Sequence, residues 1–251
     1  MKTTHTEAII LSAKDHGESD RLIRFFDQEN GCLRGVAKGA RKSRERFAHS
    51  FETFSVVHMK YVERRGRIWI EASRLAEPFL ALRDDLERWG YAALVTELVL
   101  EMVPEGEPNT PLFFLVKETY GRLSEDREPL NVLLLFLFRF LHIMGYLPAM
   151  DACCRCGRRV SEATRWWWTV KDGVFYCPDH RSFDKGEISL DLGTVILIRR
   201  SRELPLPTVW RLFFTREKQR ALLEVLVHWV KGLIQKDLNS IRVLRQLTPS
   251  S

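Results

Sequence analysis

The chain has 251 residues, 45% hydrophobic and 29% charged, with a formal net charge of +6. That is enough chain for two domains with real cores, and the balance excludes a disordered or fibrous protein. The charge is uneven: residues 1–78 carry 15 Lys/Arg against 11 Asp/Glu, residues 79–150 carry 6 against 11, and residues 151–251 carry 18 against 11. An acidic middle thus separates two basic ends. Basic surfaces call for acidic partners, of which nucleic acid is the commonest, although a merely solvated basic surface stays open at this point.

Met1-Lys2-Thr3-Thr4-His5 lacks the apolar core of a secretory signal, so a cytoplasmic location is expected. Short strands are predicted over residues 7–13, 21–27, 32–38, 54–62 and 67–73. Asn30-Gly31 and Arg65-Gly66 mark two of the turns between them. Five strands in residues 1–79 fit a small closed barrel of the oligonucleotide-binding (OB) type, with an SH3-like barrel as the alternative. From Leu80 the period becomes helical. Leu82, Leu86, Trp89 and Ala93 share one predicted face, and Thr110-Pro111 reads as a cap with a first-turn proline. A second helix follows, with Leu112, Leu115, Val116 and Leu123 on one side.

Residues 130–147 are nearly apolar all round. Arg139 and His142 within them argue for the centre of a helical bundle and against a membrane span. Leu222, Val225, Leu226, Trp229 and Leu233 recur at amphipathic-helix spacing. The fold class expected is therefore α+β: an OB-type barrel over 1–79, then a helical domain over 80–251 carrying an insert at about 151–185.

That insert holds the sharpest motif. Cys153-x2-Cys156-Gly157 is followed, twenty residues on, by Cys177-x2-His180. Two ligands spaced by two residues can wrap one side of a tetrahedral ion, and this gap is that of a zinc ribbon or knuckle. Four protein ligands leave no open position, so one structural Zn²⁺ per chain is expected and no metal catalysis. Cys154 competes with Cys153 for the first ligand position, and buried free thiols are the plainer alternative. Cys32 stands alone in a strand and reads as core. Trp166-Trp167-Trp168 lie inside the insert, and packing around the metal is favoured for them over base stacking.

The second motif runs from Arg34 to Arg46. Arg34, Lys38, Arg41, Lys42, Arg44 and Arg46 face a single anion, Glu45, on a strand that runs out into a loop. A basic loop on an OB barrel is where a phosphate backbone would track, so these six are the expected DNA contacts. Arg64, Arg65 and Arg67 form a weaker second patch. No G-x-x-x-x-G-K-[ST], H-E-x-x-H or G-x-S-x-G is present, and Asp84, Asp85 and Glu87 suit a helix start better than a nuclease centre. No enzymatic activity is expected. A zinc-ribbon transcription regulator remains the rival reading, although no recognition helix stands out.

Thr6-Glu7-Ala8-Ile9-Ile10-Leu11, Gly17-Glu18-Ser19-Asp20, Gly31 and Val36-Ala37-Lys38-Gly39-Ala40-Arg41-Lys42-Ser43 resemble the N-terminal pattern of the RecO family of recombination mediators. The Cys153/Cys156/Cys177/His180 insert and the closing Ser240-Ile241-Arg242-Val243-Leu244 are similar to that family's zinc region and last helix. Three departures stand out. Phe51-Glu52-Thr53-Phe54 replaces a usual leucine and proline, Asp172-Gly173 replaces paired glycines, and His180 replaces a fourth cysteine. The resemblance implies binding of single- and double-stranded DNA, annealing of complementary strands, and help in loading RecA onto strands coated by single-strand-binding protein (SSB). RecR is the implied protein partner.

Overall fold

The computed structural model describes residues 2–43, 45–169, 173–181 and 187–247. They form two compact units, one of residues 1–126 with 242–251 and the other of residues 127–241. The first unit opens with five strands: β1 (Lys2–His16), β2 (Asp20–Asp27), β3 (Gly31–Ala37), β4 (Val56–Arg64) and β5 (Arg67–Glu77). They close into a barrel in the order β1-β2-β3-β5-β4, with β4 returning to β1. The β3–β5 pair is parallel while the other pairs are antiparallel, the order of an OB barrel and not an SH3-like one.

Alternation along the strands builds the barrel core. Ala8 and Ile10 meet Ile23, Phe25, Val57, Met59 and Ile70 inside. Phe47 and Phe51, in the connection from β3 to β4, pack into the same core with their rings 5.2 Å apart. That connection reads as loop in the sequence, and its two buried aromatics anchor it. The β2–β3 turn is organised by Asp27, which is fully buried. Its carboxylate accepts from the Glu29 and Asn30 amides at 2.7 and 2.9 Å and from the Tyr61 hydroxyl at 3.0 Å. At the β4–β5 tip Arg65 and Gly66 both take positive φ, +50° and +69°, the pairing that a two-residue type I′ hairpin needs.

The helices of this unit depart from expectation in detail. A single face over Leu82, Leu86, Trp89 and Ala93 is predicted. Instead α1 (Ala81–Asp84) stops at Asp85, and α2 (Leu86–Met102) starts afresh. Asp85 leaves helical geometry, and its carboxylate accepts from the Glu87 and Arg88 amides, a side-chain N-cap. The interruption resets the phase. Tyr91, Ala92, Leu94, Val95, Leu98 and Val99 become the buried side, while Leu86 and Trp89 are exposed. In α3 (Thr110–Glu125) the cap is Asn109, one residue before the threonine expected, and Leu112, Leu115, Val116 and Leu123 are buried as predicted. Lys117 reaches from α3 to Glu7 and Glu77 at 3.0 and 2.7 Å, tying the helix to β1 and β5.

The second unit contains α4 (Pro129–Ile143), β6 (Arg165–Thr169), β7 (Val174–Tyr176), β8 (Glu187–Asp191), α5 (Leu192–Glu203), α6 (Leu206–Val209) and α7 (Arg216–Ile234). A last helix, α8, spans Asn239–Leu247. As expected, α4 is buried on all sides, from Asn131 to Phe138 without a break. No helix among the described residues is long and apolar enough to cross a membrane. Arg139 has a definite task on that apolar helix. Its guanidinium donates to the carbonyls of Ser201, Arg202 and Leu204 at 2.9, 3.0 and 2.6 Å, satisfying the C-terminus of α5. Arg139→Met keeps the apolar stem and loses those charged donors. We expect it to destabilise this unit by about 2–3 kcal/mol, read as a shifted urea midpoint with unchanged slope.

Candidate nucleic-acid interface and metal centre

A groove of about 950 Å³ runs along β3 and β5 and takes in residues of β1, β2 and β4. Its lining includes Arg34 and Lys38 from β3 and the residue after it, Arg67 and Trp69 from β5, and His16 from the end of β1. The Lys38 ammonium lies 4.6 Å from the centre of the Trp69 ring. Lys38 and Trp69 also line an adjoining hollow of about 500 Å³, together with Arg46 and Arg64. Asp20, Glu63 and Glu105 line the groove too, and Glu71 the hollow, so the lining is mixed in charge, with cations grouped around one aromatic ring. A cation beside an aromatic ring suits a polyanion that carries flat bases.

The six cations expected from the sequence are distributed as follows. Arg34 and Lys38 line the groove, and Arg46 lines the adjoining hollow. Arg34 is an exposed partner of Glu105 at 3.7 Å. Arg41 is held against the β1–β2 turn, 3.5 Å from Asp15 and donating to the Glu18 carbonyl at 3.2 Å. Lys42 is exposed and makes no ion pair among the described residues. Arg46 donates to the Lys38 carbonyl at 3.0 Å, its guanidinium over Phe47. Arg44 lies outside the described residues. The loop is thus anchored: the Gly39 amide donates to Asp20 and the Arg41 amide to the Ser19 carbonyl. The Gly39 amide, through that bond, also holds the Asp20 carboxyl below its ordinary value.

Two groove residues escaped the sequence reading. Trp69 read only as part of a strand, and His16 as loop. Strand alternation from Arg67 was the available signal, since it sets Arg67 and Trp69 on one side of β5 and the buried Ile70 on the other.

In the second unit Cys153, Cys156, Cys177 and His180 offer ligand atoms that all lie within 4.8 Å of one another. The Cys156 and Cys177 sulfurs are 3.8 Å apart, and His180 Nδ1 is 3.3 Å from the Cys177 sulfur and 4.0 Å from that of Cys153. Zinc bonds of about 2.3 Å to sulfur and about 2.0–2.1 Å to nitrogen give tetrahedral edges of roughly 3.5–3.8 Å, so the residues present fit a metal ion. Both knuckles are tight turns. The Gly157 amide closes onto the Cys153 carbonyl at 2.9 Å, and the His180 amide onto that of Cys177 at 3.1 Å. Burial pushes the Cys153 thiol up, but amide donors of Cys177, Cys156 and Arg155 outweigh it and bring it down to about 6. Cys154 is exposed and outside the cluster. Cys32 is buried, which pushes its thiol up to about 12 and leaves it a neutral core residue.

Residues 1–79 match the family described as Recombination protein O N terminal, and residues 83–242 match Recombination protein O C terminal. The chain belongs to the RecO family. It is 50% identical over 98% of its length to the DNA repair protein RecO of Syntrophobacter fumaroxidans, and covers 98% of that protein. It is 29% identical to the DNA repair protein RecO of Geobacter metallireducens, over 99% of this chain and 100% of that one. As a RecO-family member the chain is a DNA repair and recombination protein, and the barrel groove and the Cys153/Cys156/Cys177/His180 cluster are its candidate sites.

Proposed function

We propose that this chain is a non-enzymatic recombination mediator of the bacterial cytoplasm. In this reading it binds single- and double-stranded DNA, anneals complementary strands, and helps load RecA onto SSB-coated DNA together with RecR. Residues 1–79 would be the DNA-binding domain and residues 80–251 the helical domain. Arg34, Lys38, Arg41, Lys42, Arg44 and Arg46 would meet phosphates. The observation that carries this is the groove along β3 and β5, where Lys38 sits against Trp69 among further cations. Cys153, Cys156, Cys177 and His180 would hold one structural zinc, which supplies a cross-link and no chemistry.

Annealing needs no fuel in this scheme. Two strands repel until cations screen both, and pairing then releases about 1.4 kcal/mol per stacked step. Fluorescence energy transfer between labelled complementary strands coated with SSB tests it: annealing should outrun the SSB-only control without ATP and slow with salt. Annealing at the control rate, at low salt and saturating protein, leaves only a passive DNA binder.

The loop has its own test. Each phosphate contact on a single strand contributes about −0.7 to the log–log salt slope. Arg41, Lys42 and Arg44 changed together to alanine should weaken binding to every sequence and flatten that slope by about 2. Affinity lost at an unchanged slope means that these side chains act through the loop's structure instead.

A further inference from the structure

The three consecutive tryptophans of the insert face two ways. β6 alternates, and Trp166 and Trp168 are both fully buried. Trp166 stacks on Phe175 with ring centres 4.8 Å apart, and Trp168 meets Trp229 edge to face at 5.9 Å. Trp167 turns to the opposite face and is only half-buried. Antiparallel register sets Tyr176 of β7 and Ser189 of β8 directly across from it, so all three stand on one side of the sheet. Tyr176 is half-buried as well.

Charge surrounds this aromatic pair. The Arg181 guanidinium lies 5.3 Å from the Trp167 ring centre, and exposed Arg165 is two residues along the same strand. The first metal knuckle runs alongside, because the Cys154 amide donates to the Phe175 carbonyl at 2.9 Å. Arg155, exposed, is the next residue. Three carboxylates of this region are already engaged: Glu187 with Arg181 at 2.8 Å, Asp179 with Arg158 at 2.7 Å, and Asp191 with Lys218. Arg155 and Arg165 make no ion pair among the described residues, which leaves positive charge beside Trp167.

We propose that this outward sheet face is a stacking platform for the bases of a single DNA strand, with Trp167 and Tyr176 as the stacking residues and Arg155 and Arg165 meeting its backbone. Flat aromatic side chains accept any base, and that positive charge favours a polyanion over an apolar protein surface. A duplex would not suit it, because its bases are already stacked. The proposal rests on the DNA-binding reading above and adds a contact of another kind: the barrel groove holds a strand chiefly by charge, the platform by its bases.

The test compares the full chain's affinity for an oligo-dT strand and for an abasic strand of equal length. Trp167→Ala should weaken dT binding about tenfold and leave abasic binding unchanged. Tyr176→Ala should repeat the pattern with a smaller loss, and Trp167→Phe should retain most of the dT affinity. Equal weakening on both strands, or no change on either, overturns the platform. The Arg41/Lys42/Arg44 variant separates the two readings, since it should weaken both strands alike. A wild-type chain that binds neither strand overturns the DNA-binding reading and the platform with it.

Discussion

Replacing Cys177 with serine should strip the insert of its metal and unfold much of residues 151–181, the largest effect expected from any single change in the chain. The cluster joins two tight turns, one at Cys153–Cys156 and one at Cys177–His180, whose backbone bonds are few and local. Structural zinc sites contribute on the order of 10 kcal/mol of apparent binding free energy to small modules, far more than the short β6–β7–β8 sheet can replace. Losing one ligand of four, and one of only three sulfurs, removes most of that. Elemental analysis should fall from about one metal per chain to near zero, and limited proteolysis should begin to cut within the insert. The barrel fragment should stay resistant, because its core is separate. Cys154→Ser is the control: it lies outside the cluster and should leave the metal in place. Wild-type protein free of metal after metal-replete expression would contradict the assignment of these ligands.

The second large effect is expected at Gly31. This residue opens β3 with φ at +77°, where an L side chain is strained. A Cβ there would come within 2.1 Å of the Glu107 carbonyl oxygen and 2.6 Å of its carbon. Both atoms belong to backbone, so no rotamer change relieves the clash. Strain of about 1–2 kcal/mol and overpacking of about 1–3 kcal/mol act together, so Gly31→Ala should cost roughly 3 kcal/mol or more. The displaced segment also holds Glu105, the partner of Arg24 and Arg34, and the Gly106 amide, which donates to the Cys32 carbonyl at 2.9 Å. Urea unfolding monitored on the barrel should show the loss. DNA binding at low denaturant should weaken through the shifted Arg34.

Strong alternation made the barrel legible, and each of its five strands was found within a few residues. β1 runs further than its apolar stretch, to Lys2 and His16. Its polar ends are held by pairing to β4 on one side and β2 on the other, which no hydrophobic pattern records. The grouping of Cys153, Cys156, Cys177 and His180 was legible because spacing alone carries it. The helix phase after Leu80 was not, since one side-chain cap at Asp85 resets it and a cap of that kind inside an apolar run looks like an exposed acid. The strands β6 to β8 were also missed. They are 3 to 5 residues long, too short for a period to show, and depend on pairing with one another and on Trp166 and Trp168 beneath them. In the basic segment the charges were plain, but the ring that Lys38 covers sits on β5, far along the chain, and only the barrel brings it near.

The parallel seam between β3 and β5 also sets a schedule for the nascent chain. Arg34 and Lys38 leave the ribosome early, yet the strand that pairs beside them brings Ile68, Trp69 and Ile70 only later. At synthesis rates of about 5–20 residues per second, some seconds pass between the two. A fragment ending before Arg67 therefore has most of the charge but lacks the β5 side of the groove. Such a fragment carries concentrated positive charge without a fixed geometry for it. The late arrival of β5 converts a charged segment into a shaped groove in one closing step.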